Sequence, residues 1–146
     1  MEGYPVTDRI EVRWRDIDAM GHVNNAVYFT YFEIARGRYF DQVFRRSESP
    51  GVTCILISIS CDFLGPIHQG EAVNIGIRVP TVSRTSFDFE YEARLVENDQ
   101  VVARAHSTQV LYDRLLEEKI AITGKWLSEI THAQGKQPQW IKRGTR

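Results

Sequence analysis

Cysteine is scarce: the 146-residue chain carries two, Cys54 and Cys61, both inside TCILISISCDF, which reads as one strand. Seven positions at period two put them on opposite faces, and at about 3.3 Å per residue they lie far beyond the ~7 Å Cα limit of a disulfide. That fits a reducing compartment, and a strand interior offers no base or helix terminus to activate a thiol. Surplus charge is also missing. Lys and Arg number 18 against 19 acids, a net charge of -1, so there is no electrostatic footprint for nucleic acid or a lipid surface. No apolar run approaches the roughly 18 residues that span a bilayer, and MEGYPVTDRIEV lacks a basic segment followed by an apolar one. The expectation is one soluble, cytoplasmic domain over residues 1–146, near the commonest domain size.

What the chain does have is periodicity. Ile10, Val12 and Trp14 alternate with Glu11, Arg13 and Arg15, the pattern of a strand with one buried face. From Asn25 to about Phe44 the apolar residues leave only a narrow polar stripe at Thr30, Glu33, Gly37 and Asp41, so the expected helix is enclosed on several sides. After the breaker run Ser47-Glu48-Ser49-Pro50-Gly51, period two returns, with Ile55, Ile57, Ile59, Cys61 and Phe63 on one face. Gly65-Pro66 and His68-Gln69-Gly70 then form a loop before Val73, Ile75, Ile77 and Val79. Phe87 to Leu95 and Val101 to Tyr112 give two more strands around a hairpin turn at Glu97–Gln100. Thr123 caps a final helix carrying Trp126, Leu127 and Ile130, and the tail from about 134 reads as polar and mobile apart from Trp140. This order predicts an α+β fold with a curved antiparallel sheet of about five strands around one long central helix. Its open edges favour pairing between copies.

The stretch DIDAMGHVNNAVY, Asp16 to Tyr28, joins the first strand to the long helix. Asn24 is a good N-cap, which leaves Asp18 and His22 without a structural explanation. A metal site on Asp16, Asp18 and His22 lacks a second His or Cys cluster to complete it. A phosphoryl-transfer D-x-D nucleophile lacks the polar partner and magnesium cage it needs. Acyl transfer from a thioester suits so sparse a set. A thiolate, with a pKa of about 8.5, leaves without a strong general acid, so a carboxylate and an oxyanion donor are enough. Asp18 supplies the first, and the backbone N–H of Asn25 at the helix terminus supplies the second.

The run Asp18-Ala19-Met20-Gly21-His22-Val23-Asn24-Asn25-Ala26-Val27-Tyr28, with Glu33-Ile34-Ala35-Arg36 below it, resembles the signature of hotdog-fold acyl-CoA thioesterases of the 4-hydroxybenzoyl-CoA thioesterase type. The resemblance continues through Asp62–Glu71 and Ser83–Phe87. It implies a hotdog fold, dimers or tetramers with sites at the subunit interface, an acyl-CoA or acyl-carrier-protein substrate, and no metal or redox cofactor. It also implies the catalytic carboxylate at Asp18, the oxyanion N–H at Asn25 and a histidine close to the carboxylate at His22. Arg84, Thr85 and Ser86 match a segment that commonly meets the CoA nucleotide from the partner subunit. In the plant acyl-carrier-protein branch an asparagine stands where this chain has Met20, so that amide is absent here.

Glu33, three residues before Arg36, is expected to pair with it along the helix. His68 and His106 have no recognisable partner spacing. The reading is a homo-oligomeric thioesterase that releases free acid and thiol. Two rivals stand beside it: a hotdog hydratase or dehydratase using an Asp and His pair, and a non-catalytic acyl-thioester-binding module. Thiol release discriminates, because hydration leaves the thioester intact.

Overall fold

The period-two segments form one sheet in the computed structural model, which describes residues 1–45 and 49–144. Ser47 and Glu48 of the breaker run lie outside the described residues. Five long strands, β1 (Val6–Glu11), β2 (Val52–Phe63), β3 (Ala72–Arg78), β5 (Ser86–Leu95) and β6 (Val101–Asp113), pair antiparallel in the spatial order β1-β3-β5-β6-β2. Three two-residue strands extend it: β4 (Thr81–Val82) on β5, β7 (Glu118–Lys119) on β6, and β8 (Gln139–Trp140) parallel to β4. The described sheet thus has eight strands where about five are expected, because a two-residue ladder leaves no period-two signal.

Two helices lie among the described residues, the long one and the final one expected after Thr123. The long one, α1 (Asn25–Gln42), lays Tyr28, Tyr31, Phe32, Ala35, Tyr39 and Phe40 onto the sheet. Its rings meet those of β5 in sequence: Phe32 on Tyr91 at 4.9 Å, Tyr39 on Phe89 at 4.9 Å and Phe40 on Phe87 at 6.3 Å between centroids. Each such pair adds roughly 0.5–1.5 kcal/mol beyond area burial, and the ladder fixes the helix in register with the strand. The second helix, α2 (Lys125–Gln134), begins after Gly124, with no side-chain cap. Thr123 contributes its carbonyl to the Trp126 N–H instead of its hydroxyl. Beyond Gln134, where a mobile tail is expected, β8 pairs with β4 and Arg143 reaches Asp88 on the outer face of β5.

Two expectations about faces are corrected. Trp14 does not continue β1; it sits in a 3-10 turn over Trp14–Asp16 and is 80% exposed. The turn forms because buried Asp16 accepts from the Arg13 N–H at 3.0 Å and from the Arg13 guanidinium at 2.8 Å. The second correction concerns β2, whose register against β6 shifts between Leu56 and Ser58. One extra residue in a strand flips the side chains beyond it. Cys54 therefore lies opposite Leu111 and Cys61 opposite Ala105, so both cysteines share the inner face and pack against the core. No disulfide joins the two, as their separation along the strand requires. Ile55 likewise parts from Ile59, Cys61 and Phe63.

The outer edge of the sheet is β2. Ile55, Leu56 and Ile57 are 45%, 40% and 37% exposed in the protomer, a long apolar edge of the kind that pairs with another strand. No helix among the described residues is long and apolar enough to cross a membrane.

Candidate active site

The loop between β1 and α1 is folded by its own backbone. The Asp18 N–H donates to the His22 carbonyl at 2.9 Å, the Gly21 N–H to the Asp18 carbonyl at 3.0 Å, and Gly21 takes φ 83°, where a side chain would be strained. The Val23 N–H reaches the Ile67 carbonyl at 2.8 Å. This ties the loop to the 64–70 segment, which crosses the same end of α1.

Asp18 is half-buried in this loop. One carboxylate oxygen accepts from the Met20 N–H at 2.9 Å and the other from Asn24 Nδ2 at 3.2 Å. Asn24 also works as the N-cap, its Oδ1 accepting from the Ala26 N–H at 2.9 Å. One asparagine thus joins the carboxylate to the first turn of α1. Asn25 is the first helical residue; its N–H has no intrahelical acceptor by geometry, and among the described residues no bond outside the helix engages it. The helix dipole adds a positive field there.

His22 belongs to the same loop, its carbonyl accepting from the Asp18 N–H. Its ring stands edge-on to His68, 5.0 Å between centroids, and the two residues form an isolated antiparallel bridge. Among the described residues no hydrogen bond joins the His22 ring to the Asp18 carboxylate. His68, left unassigned by sequence, donates its backbone N–H to Glu71 at 2.6 Å. Beneath the helix terminus, Tyr28 donates to the Gly65 carbonyl at 3.2 Å, and the pKa of its hydroxyl is pushed up to about 12 by burial. Phe63 stands edge-on to Tyr28 at 5.0 Å.

Arg84, Thr85 and Ser86 are elsewhere. Phe87, the next residue, packs on Phe40, fifteen residues along α1 from Asn25, or roughly 22 Å at 1.5 Å per residue. Within one protomer they do not join Asp18. Arg84 is exposed and Thr85 half-buried. Ser86 is buried, its hydroxyl 2.5 Å from that of Ser83, so it shapes the turn that presents Arg84.

Sequence reasoning missed two residues. Asp16 accepts the Tyr31 hydroxyl at 2.6 Å and so locks the loop to α1. Burial pushes its carboxyl up, but the Arg13 guanidinium, the Tyr31 hydroxyl and the Arg13 N–H outweigh that and hold it below the usual carboxylate range. The other is Arg36. The Glu33 to Arg36 pair is not formed among the described residues; Glu33 is exposed, and the Arg36 guanidinium turns inward to donate to the Tyr91 hydroxyl at 3.2 Å. Among the described residues no group of three or more His, Cys, Asp or Glu gathers as a metal site.

Comparison with known proteins bears on this geometry. The family model of the thioesterase-like superfamily matches residues 12–128. The crystal structure of a thioesterase complexed with coenzyme A and zinc from Thermus thermophilus superposes with a TM-score of 0.80 at 29% identity, covering 93% of this chain and 98% of that one. The uncharacterized protein YsmA of Bacillus subtilis (strain 168) is 28% identical over 92 residues, 63% of each chain. An acyl-acyl carrier protein thioesterase, chloroplastic ATL2 of Arabidopsis thaliana, is 25% identical over 114 residues, 71% of this chain and 57% of that protein. The matched region therefore spans 63% and 57% of the length of these two relatives.

Proposed function

The chain belongs to the thioesterase-like superfamily, and from that membership we propose that it hydrolyses an acyl-CoA or acyl-carrier-protein thioester to a free acid and a thiol. The observation that carries the reading is the double role of Asn24, which holds the Asp18 carboxylate at 3.2 Å and caps the helix whose first N–H is unengaged. Base and oxyanion donor are thereby held in one rigid unit.

The thioester carbonyl oxygen lies at the Asn25 N–H, where the developing negative charge is met by a fixed donor worth about 2.7–4 kcal/mol in comparable hydrolases. Asp18 either takes a proton from the attacking water or attacks the carbonyl carbon itself. The carbon to sulfur bond then breaks and the thiolate leaves with the electron pair. In the covalent route, water next cleaves the acyl to Asp18 anhydride and regenerates the carboxylate.

The working unit is a homodimer. Phe63, at one end of β2, lies beside Tyr28 at the site; Val52, at the other end, pairs with Asp113 toward the Arg84 end of the protomer. Antiparallel pairing of two β2 edges about a two-fold axis sets the Phe63 end of one protomer against the Val52 end of its partner. It covers the exposed isoleucines and brings the partner's Arg84 and Thr85 toward Asp18, where the guanidinium pairs with CoA phosphate.

The test is thiol release from a panel of acyl-CoAs, and from the same acyl groups on carrier protein, by the parent and by Asp18→Asn. The parent should release thiol and the variant should bind substrate with turnover lost. Parental rates in Asp18→Asn would remove Asp18 from the reaction, and thioesters left intact by the parent would remove the hydrolase reading.

A further inference from the structure

Resting on the hydrolase reading above, we infer that Arg36, with Tyr91, receives an anionic end of the acyl group, so that the preferred substrate is a thioester whose acyl chain ends in a carboxylate. Arg36 lies eleven residues after Asn25, three turns at 3.6 residues per turn, so both stand on one face of α1 with their Cα atoms about 16 Å apart along the axis. Side chains on a helix lean toward its N-terminus, which brings the guanidinium back toward the site. Phe29 and Phe32 lie between them on the same stripe.

The facing wall is the inner side of the sheet. Phe29 stands edge-on to Phe63 at 6.3 Å, Phe32 meets Tyr91 at 4.9 Å, and Arg36 donates to the Tyr91 hydroxyl at 3.2 Å. Phe63 is 41% exposed and Cys61 and Ile59 are half-buried. Partly exposed apolar side chains, Phe29, Phe63, Cys61 and Ile59, therefore line the seam between α1 and β2 from the Asn25 end toward a cation.

The polar end is ordered. Gln109 Nε2 donates to the Phe87 carbonyl at 3.1 Å and its Oε1 accepts from Ser107. Ser107, its proton used, accepts from Tyr91 at 2.6 Å, which leaves the Tyr91 oxygen to accept from Arg36. Every member of this chain except Arg36 is neutral, and Tyr91, Ser107 and Gln109 are fully buried. Arg36 is half-buried, makes no ion pair among the described residues, and has turned away from the Glu33 within its reach. A guanidinium has five donors in a planar fork suited to a carboxylate. Set beside neutral partners, it has room for one anion, and the apolar seam leads toward it from the Asn25 end of α1.

The experiment uses matched series of acyl-CoAs and ω-carboxyacyl-CoAs of increasing length, with parent, Arg36→Met and Tyr91→Phe. The parent should favour the carboxyl series at one length, and Arg36→Met should lower the ratio of kcat/KM between carboxyl and methyl termini by about 10- to 100-fold, the worth of a hydrogen-bonded charge. Tyr91→Phe should lower it less. Preference for methyl termini at every length, or an unchanged ratio in Arg36→Met, would overturn the inference. So would dissociation of the Arg36→Met dimer in sedimentation, which would make the missing anion a partner residue. Binding of nonhydrolysable thioether analogues separates the two readings: selective binding of the carboxyl analogue without any thiol release keeps the anion site and discards the hydrolase.

Discussion

The Tyr31 hydroxyl donates to the Asp16 carboxylate at 2.6 Å, across fifteen residues of sequence, and so anchors the loop that carries Asp18 to the second turn of the helix that carries Asn25. Tyr31→Phe removes one of the donors to a buried carboxylate, a loss of about 1.5–3 kcal/mol. Thermal melting should show the destabilisation, and turnover should fall with it because the loop loses its fixed point.

The same carboxylate sets an acid limit. Its folded pKa is below the unfolded value of about 3.9, so its contribution to stability is present above that value and is lost as pH falls through the folded pKa. Replacing Asp16 by Asn should lower stability at neutral pH and flatten the acid limb of a stability against pH curve. A variant with the parental acid limb would place the titration elsewhere.

The exposed apolar edge of β2 predicts the assembly. Ile55→Lys with Ile57→Lys puts two charges on the strand that the proposed dimer would cover, and charged edges resist pairing. Sedimentation should give a folded monomer, and turnover should be lost although Asp18 and Asn25 are untouched. An active monomer would show that one protomer holds a complete site.

Arg84→Ala should weaken CoA substrates through lost pairing with phosphate while sparing a short N-acetylcysteamine thioester that has no nucleotide. The defect should shrink as salt rises. Equal loss on both substrates would mark a folding or interface effect.

How much of this was legible in the sequence follows from the range of each interaction. The Asn24 cap was legible because it acts over two residues, and β2, β3, β5 and β6 because period two repeats within each, whereas β1 runs over Val6–Glu11, ahead of most of the alternation at Ile10 to Arg15. The bulge at Ile57 was not: in Ile55-Leu56-Ile57-Ser58-Ile59 apolar residues stand on both parities, so nothing marks where the face changes. Trp14 kept the alternation of β1 although the buried Asp16 had already turned the chain. The pairing of His22 with His68 and of Arg36 with Tyr91 joins distant segments, and only the folded sheet brings them together. For Arg36 the local rule of three-residue pairing with Glu33 gave way to a buried hydroxyl.

The oxyanion assignment can be separated from the side chain that bears its name. Asn25→Ala keeps the backbone donor and should be mild, whereas Asn25→Pro deletes it. Proline is tolerated here because Asn25 is the first helical residue, and Asn24 already has the extended backbone, φ -61° and ψ 141°, that a following proline favours. The N-cap bond from the Ala26 N–H to Asn24 is untouched by either change. Loss of one oxyanion donor lowers turnover by about 10² to 10³ in other hydrolases, and the proline variant should fall by a similar factor. Circular dichroism and melting curves should first show that both variants are folded. Near-parental turnover in a folded proline variant would exclude this N–H as the donor, and a severe defect in the alanine variant would move the role to the side-chain amide.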